Sequence, residues 1–137
     1  MKKTAKALVD EAMGRVTTYT VEQARALHGQ PGVQFVDVRD VRELEHEGAI
    51  PGAFHAPRGM LEFWADPESP YHRQELAQDK EYVLFCALGW RSALATQTLM
   101  DMGLAHVAHI EGGFDAWKKA GGPVEPKPAK PRSPARP

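Results

Sequence analysis

A single cysteine, Cys86, stands in 137 residues, so the chain cannot close an internal disulfide and holds no second thiol that would resolve an adduct on the first. No apolar run approaches the roughly 20 residues that cross a bilayer. Lys2, Lys3 and Lys6 lead into Val9-Asp10-Glu11 rather than into the apolar core of a signal peptide, so a cytoplasmic protein without membrane contact is expected. Internal repeats are lacking. The glycines form no nucleotide-binding fingerprint, and the aromatics, 8% of the chain, make no basic stripe of the kind that binds nucleic acid. His28, His46, His55, His72, His106 and His109 are scattered without a ligand spacing shared with Cys86. Neither a metal nor a dissociable cofactor is therefore expected.

What is present suffices for one hydrophobic core and not two, with 42% hydrophobic residues over this length. The formal charge of −1 conceals an asymmetry, since residues 123–137 carry Lys127, Lys130, Arg132 and Arg136 against Glu125. That segment also holds six of the eleven prolines and no aromatic residue, too little apolar surface to offset the entropy of ordering. The expected organisation is a helical extension over residues 1–17, a folded domain over 18–124 and a disordered, basic, proline-rich tail over 125–137.

Within the domain, strand and helix patterns alternate. Ala5 to Met13 reads as a short amphipathic helix. Thr18-Tyr19-Thr20 reads as a first strand, with Thr20 capping a helix through Leu27 and Gln23 completing a capping box. Val33 to Val38 is a strand, and the charged run Arg39 to Glu47 a helix with a wet outer face. A short strand around Phe54 to Ala56 follows the Pro51-Gly52 turn. Between Pro57 and Gln78 lies a long excursion broken at Pro67 and Pro70. Glu81 to Phe85 is apolar almost throughout, as a central parallel strand covered on both faces requires. The helix after Arg91 closes at Gly103, and His106 to Ile110 and Phe114 to Ala120 supply the last strand and helix. Alternation of this kind argues for an α/β domain whose ligands bind outside the carboxyl ends of the strands.

Cys86 falls at such an end, one glycine-containing turn before a helix. Backbone N–H groups and the positive end of the helix dipole converge there, and both favour a thiolate over a thiol. A small buried hydrophobe is the plainer reading of a free cysteine. Arg91, a cation with donors matched to an oxyanion, tips the balance toward chemistry.

The segments Val36-Asp37-Val38-Arg39, Gly48-Ala49-Ile50-Pro51-Gly52-Ala53, Cys86 to Arg91, and Gly112 to Val124, which opens Gly112-Gly113-Phe114-Asp115-Ala116-Trp117, resemble, in order and spacing, the rhodanese family of sulfurtransferases. Ala49 departs from the histidine many members carry, and Trp90 from a lysine or other polar residue. The resemblance implies a three-layer fold with a five-stranded, mostly parallel central sheet and helices on both faces. It also implies that Cys86 accepts sulfane sulfur as a persulfide from a small anionic donor such as thiosulfate. The acceptor would be cyanide, a thiol or a protein. Four residues separate Cys86 from Arg91, which matches the six-residue loop of the sulfurtransferases. Related phosphatases and arsenate reductases have one residue more. A phosphatase or arsenate reductase on the same fold, and a non-catalytic interaction module, are the alternatives.

On this reading Ala87, Leu88, Gly89, Trp90 and Arg91 form the substrate-binding loop, their amides a nest for the outer sulfur or a donor's oxyanions. Gly89 supplies a positive φ, and Trp90 projects from the rim. Arg91 either binds a sulfonate or braces the loop through a carboxylate such as Asp37. Arg58 would lie on the same rim as a second positive charge or stand as a solvated surface residue. Asp37 and Arg39 read as a structural pair behind the loop. Phe63, Trp64 and Tyr71 would wall the pocket or, more ordinarily, belong to the core.

Overall fold

A computed structural model describes residues 1–129 of the chain. Five strands, β1 (Thr17–Tyr19), β2 (Val33–Asp37), β3 (Phe54–His55), β4 (Glu81–Phe85) and β5 (Val107–Ile110), form one sheet in the order β1-β5-β4-β2-β3. Every pairing is parallel. Six helices accompany them: α1 (Ala5–Met13), α2 (Val21–Leu27), α3 (Val41–Glu47), α4 (Leu61–Ala65), α5 (Trp90–Asp101) and α6 (Gly113–Lys119). The α/β expectation therefore holds, with a sheet that is wholly rather than mostly parallel.

The period-two alternation of strand side chains divides the core into two layers. Val36 and Leu84 point to the face covered by α4 and α5, where Leu61, Ala65, Ala95 and Leu99 meet them. Phe35, Val83 and Phe85 point to the other face, against Val21 and Ala24 of α2 and Phe114 and Trp117 of α6. Both faces of β4 are thus buried, which is why its sequence is an unbroken apolar run.

Local signals set the element boundaries. Thr20 accepts the Gln23 N–H while Gln23 bonds back to the Thr20 N–H, so β1 ends at Tyr19, one residue before the expected end. Asp40 and Glu43 form a second capping box at the start of α3. The 57–78 excursion contains α4 and two single 3₁₀ turns, Arg58–Met60 and Gln74–Leu76. Helix α1 of the N-terminal extension packs on the domain: Val9 and Ala12 meet Ala93 of α5, and Arg15 reaches Asp101 at 2.7 Å. Glu125 exchanges two backbone hydrogen bonds with Ala49, at 2.8 and 2.9 Å, and so is fixed to the domain. Residues 130–137 of the expected tail lie outside the described residues.

The chain builds outward from β2 to β3, then crosses to the other side of β2 to lay down β4 and β5. The direction of winding reverses between β2 and β4, and their carboxyl ends flank the crevice where open parallel sheets place their ligands. Cys86 is the first residue after β4.

Candidate active site

The loop after β4, Cys86 to Gly89, is four residues long before α5 begins at Trp90. Gly89 makes so short a turn feasible: its φ of 117° belongs to the left-handed side, where a side chain would strain the backbone. The turn folds back on the cysteine, and the Gly89 N–H donates to Cys86 Sγ at 3.1 Å. One turn into α5, the Ser92 N–H donates to the same sulfur at 3.4 Å, and the Ser92 hydroxyl lies 3.5 Å away. Of the five loop amides expected to form the nest, Gly89 alone donates to the sulfur; the second donor, Ser92, follows the loop.

The thiol is deep. Cys86 is 1% exposed and forms the floor of a cleft of about 480 Å³ lined by Ala87, Leu88, Trp90 and Arg91. Leu88 and Trp90 are 70% and 55% exposed, so the mouth is largely apolar. Two backbone amide hydrogens thus converge on one buried sulfur.

The loop is held from behind by α6. The Phe114 N–H donates to the Cys86 carbonyl at 2.8 Å, and the Asp115 N–H to the Ala87 carbonyl at 3.1 Å. Turning those carbonyls toward α6 leaves the turn free to point N–H groups toward the sulfur. The sequence Gly112-Gly113 at the start of α6 is thereby tied to the cysteine loop through the backbone.

Beneath the loop, Asp37 and Arg39 form a buried pair, with Arg39 Nη2 to Asp37 Oδ2 at 2.8 Å and Arg39 Nε to Asp37 Oδ1 at 3.0 Å. Arg39 also donates to the Gly48 carbonyl at 2.8 Å, and its guanidinium lies 4.0 Å from the Phe114 ring centroid. Asp37 is consequently occupied and does not brace Arg91. That role falls to Glu43 of α3, which takes both terminal nitrogens of Arg91 at 2.8 and 2.9 Å. The Arg91 guanidinium holds the Glu43 carboxyl below the usual range, and Glu43 in turn raises Arg91. Arg58 does not line the cleft. It bonds to Glu62 at 2.7 Å and to Thr98 at 3.3 Å, and so is paired away from the cleft lining.

Phe63, Trp64 and Tyr71, open in sequence between pocket wall and core, are not in the cleft lining. Trp64 packs with Phe54 and under Arg73, while Phe63 and Tyr71 are exposed elsewhere. Among the described residues no cluster of histidine, cysteine and carboxylate side chains has metal-binding geometry, and no helix is long and apolar enough to cross a membrane.

A polar group that the sequence did not announce sits behind Ser92. Ser92 Oγ lies 2.9 Å from His109 Nδ1, and His109 Nε2 lies 3.0 Å from Thr18 Oγ1. The strand register explains the alignment: His109 of β5 pairs with Thr18 of β1 on one side and Leu84 of β4 on the other, two residues before Cys86. Burial alone lowers the His109 pKa to about 4, so the ring is neutral around neutrality. Glu43 and Ser92 had weak sequence signals, a position inside a charged helix and adjacency to Arg91. His109 had none.

A family model for the rhodanese-like domain matches residues 20–120. The chain belongs to the rhodanese-like domain family. Its relatives carry two kinds of name. A sulfurtransferase from Allochromatium vinosum is 32% identical over 92 residues, covering 67% of this chain and 78% of that protein. A protein named dual specificity phosphatase Cdc25, from Arabidopsis thaliana, is 30% identical over 124 residues, covering 82% and 81%. A solved structure from Rhodopseudomonas palustris, described as a protein of unknown function and possible tyrosine phosphatase, superposes with a TM-score of 0.89 at 54% identity, covering 91% and 96%. The rhodanese-like scaffold is therefore common to relatives named for sulfur transfer and for phosphate chemistry, and the contents of the loop must separate the two.

Proposed function

We propose that this rhodanese-like protein is a sulfurtransferase that carries sulfane sulfur as a persulfide on Cys86. In the first half-reaction the Cys86 thiolate attacks the outer sulfur of a donor such as thiosulfate. A new S–S bond forms, the donor's S–S bond breaks, and sulfite departs with the electron pair. In the second half-reaction cyanide or a thiol attacks the outer sulfur, and Cys86 leaves as thiolate. The two steps are separate covalent events, so ping-pong kinetics follow. No dissociable cofactor enters, and because Cys86 has no partner cysteine the acceptor comes from outside.

The observation that carries this reading is the disposition of the loop's donors. Gly89 and Ser92 aim N–H groups at one sulfur atom, while both terminal nitrogens of Arg91 are engaged by Glu43. Phosphoryl transfer needs a cationic clamp on several oxygens at once. Attack by a single sulfur needs no such clamp, only a sulfur nucleophile held in place, as these two amides hold Cys86.

The deciding experiment is intact mass spectrometry after incubation with thiosulfate. A gain of one sulfur atom, lost on adding cyanide with formation of thiocyanate and absent in Cys86→Ser, supports the proposal. No sulfur gain from thiosulfate, mercaptopyruvate or glutathione persulfide, together with Cys86-dependent phosphate release from an aryl phosphate, would overturn it in favour of a phosphatase.

A further inference from the structure

Four side chains run in single file from the cleft floor to the edge of the sheet. The steps are Cys86 Sγ to Ser92 Oγ at 3.5 Å, Ser92 Oγ to His109 Nδ1 at 2.9 Å, and His109 Nε2 to Thr18 Oγ1 at 3.0 Å. Ser92 and His109 are fully buried, while Thr18 is half-buried on the edge strand β1. Burying a serine and a histidine in an otherwise apolar layer is costly unless each polar atom finds a partner, and here both ring nitrogens do.

The ring's charge state restricts what this file can do. No charged neighbour contributes to the His109 shift, so the imidazole carries one hydrogen, on Nδ1 or on Nε2. While Cys86 is a thiol, a consistent set of bonds runs outward. The S–H donates to Ser92, the Ser92 O–H to Nδ1, and Nε2–H to Thr18, whose hydroxyl points at Met13 Sδ 3.9 Å away. Once Cys86 is a thiolate the sulfur needs a donor, and the whole series reverses: Thr18 donates to Nε2, Nδ1–H to Ser92, and Ser92 to the sulfur. Ser92 also approaches the Gly89 carbonyl at 3.3 Å, a longer contact than the one to His109. At the sulfur end the nearby charges are already matched, Arg91 with Glu43 and Arg39 with Asp37.

We propose that Ser92, His109 and Thr18 form a proton path between Cys86 and the β1 edge, in which His109 exchanges its two neutral tautomers as the sulfur loses or regains its proton. In the deprotonating direction the S–H bond breaks as Ser92 takes that proton. Ser92 passes its own to Nδ1, Nε2 gives its hydrogen to Thr18, and Thr18 releases a proton to water at the strand edge. Cys86 ends as thiolate, water holds the proton, and every group between them remains neutral. A donor seated between Leu88 and Trp90 blocks the front of the cleft, and the path supplies a route at the back. His109 and Thr18 are positioning residues, since they reach the sulfur only through Ser92. The use of the path rests on the sulfur chemistry proposed above, but its existence does not.

The test is nitrogen NMR of the full-length protein labelled with ¹⁵N-histidine, recorded without any donor while Cys86 is titrated and its thiolate followed by ultraviolet absorbance. His109 is assigned from the spectrum of His109→Leu. The expected result is a hydrogen on Nε2 while Cys86 is a thiol and on Nδ1 once it is a thiolate, with no imidazolium at either stage. In Cys86→Ala and in Ser92→Ala the exchange of nitrogen signals over that pH interval should be lost. One unchanging tautomer in the wild-type protein, or an imidazolium paired with the thiolate, overturns the path. So does a tautomer change that persists in Cys86→Ala, which keeps the proposal testable if the Ser92 variant fails to fold. An intact exchange in a protein that takes up no sulfur would reject the sulfurtransferase reading and leave the path standing.

Discussion

Gly113 is pressed against the back of Cys86: a Cβ built on it would lie 2.4 Å from the Cys86 carbonyl oxygen and 2.8 Å from the Ala87 carbonyl carbon. Its φ of +60° is also one that L side chains rarely adopt. This closeness lets the first amides of α6 reach the loop's carbonyls. Gly113→Ala should therefore cost roughly 2–4 kcal/mol, combining overpacking with left-handed strain. Chemical denaturation measures that loss. Alkylation of Cys86 in the folded variant should also change, because the Gly89 N–H moves with the loop.

The buried Asp37–Arg39 pair ties the end of β2 to the Gly48 carbonyl and the Phe114 ring. Removing one partner strands a buried charge, so Arg39→Ala should destabilise by about 3–5 kcal/mol. Arg39→Lys keeps the charge but loses the two-pronged contact and the bond to Gly48, and should recover only part of that stability. Denaturant midpoints of the two variants distinguish charge from geometry. Equal losses would mean that geometry is everything.

Stability should fall with acid in a window set by His109. Its folded pKa of about 4 lies below the ordinary 6.5, so between those values the unfolded chain binds a proton that the folded chain refuses. The contribution is fully present above pH 6.5 and is lost as pH drops toward 4. It amounts to roughly 3 kcal/mol at most. Glu43, Asp40, Glu75 and Asp101, all held below their ordinary range, add acid sensitivity of the same sign at lower pH. Comparing urea midpoints of wild type and His109→Leu across this range isolates the histidine. The difference should shrink steadily as pH falls, and a constant difference would remove the neutral histidine from the account.

Trp90 is more than half exposed at the mouth, so Trp90→Ala should leave global stability within about 0.5 kcal/mol. On the proposed function, its effect should fall on recognition. The KM for a donor or acceptor with an apolar body should rise, while that for a small ion such as thiosulfate stays near the wild-type value. Steady-state kinetics with an aryl thiosulfonate and with thiosulfate separate the two.

Much of this was legible in the linear chain. The apolar run 81–85, the cysteine at its end, Gly89 in the turn and the capping box at Thr20 are local facts, because capping, strand burial and positive φ are decided within a few residues. Arg91 was legible as a cation beside the cysteine, but its partner was not. Glu43 reads in sequence as one charge among many on a wet helix, and only the placement of α3 beside the β4 loop brings it within 2.8 Å of Arg91. Arg58 stayed open between rim and surface for the same reason, since its partners Glu62 and Thr98 belong to α4 and α5 and only packing brings them to it.

The sequence by itself determined an α/β domain, its family and the residue on which its chemistry is proposed to centre, since these follow from periodicity, turn chemistry and a motif within one loop. Tertiary structure alone decided that Ser92, His109 and Thr18 stand in line behind Cys86. They come from a helix and two strands far apart in the chain, and only the parallel register of β1 and β5, with α5 laid across them, brings their polar atoms within hydrogen-bond reach.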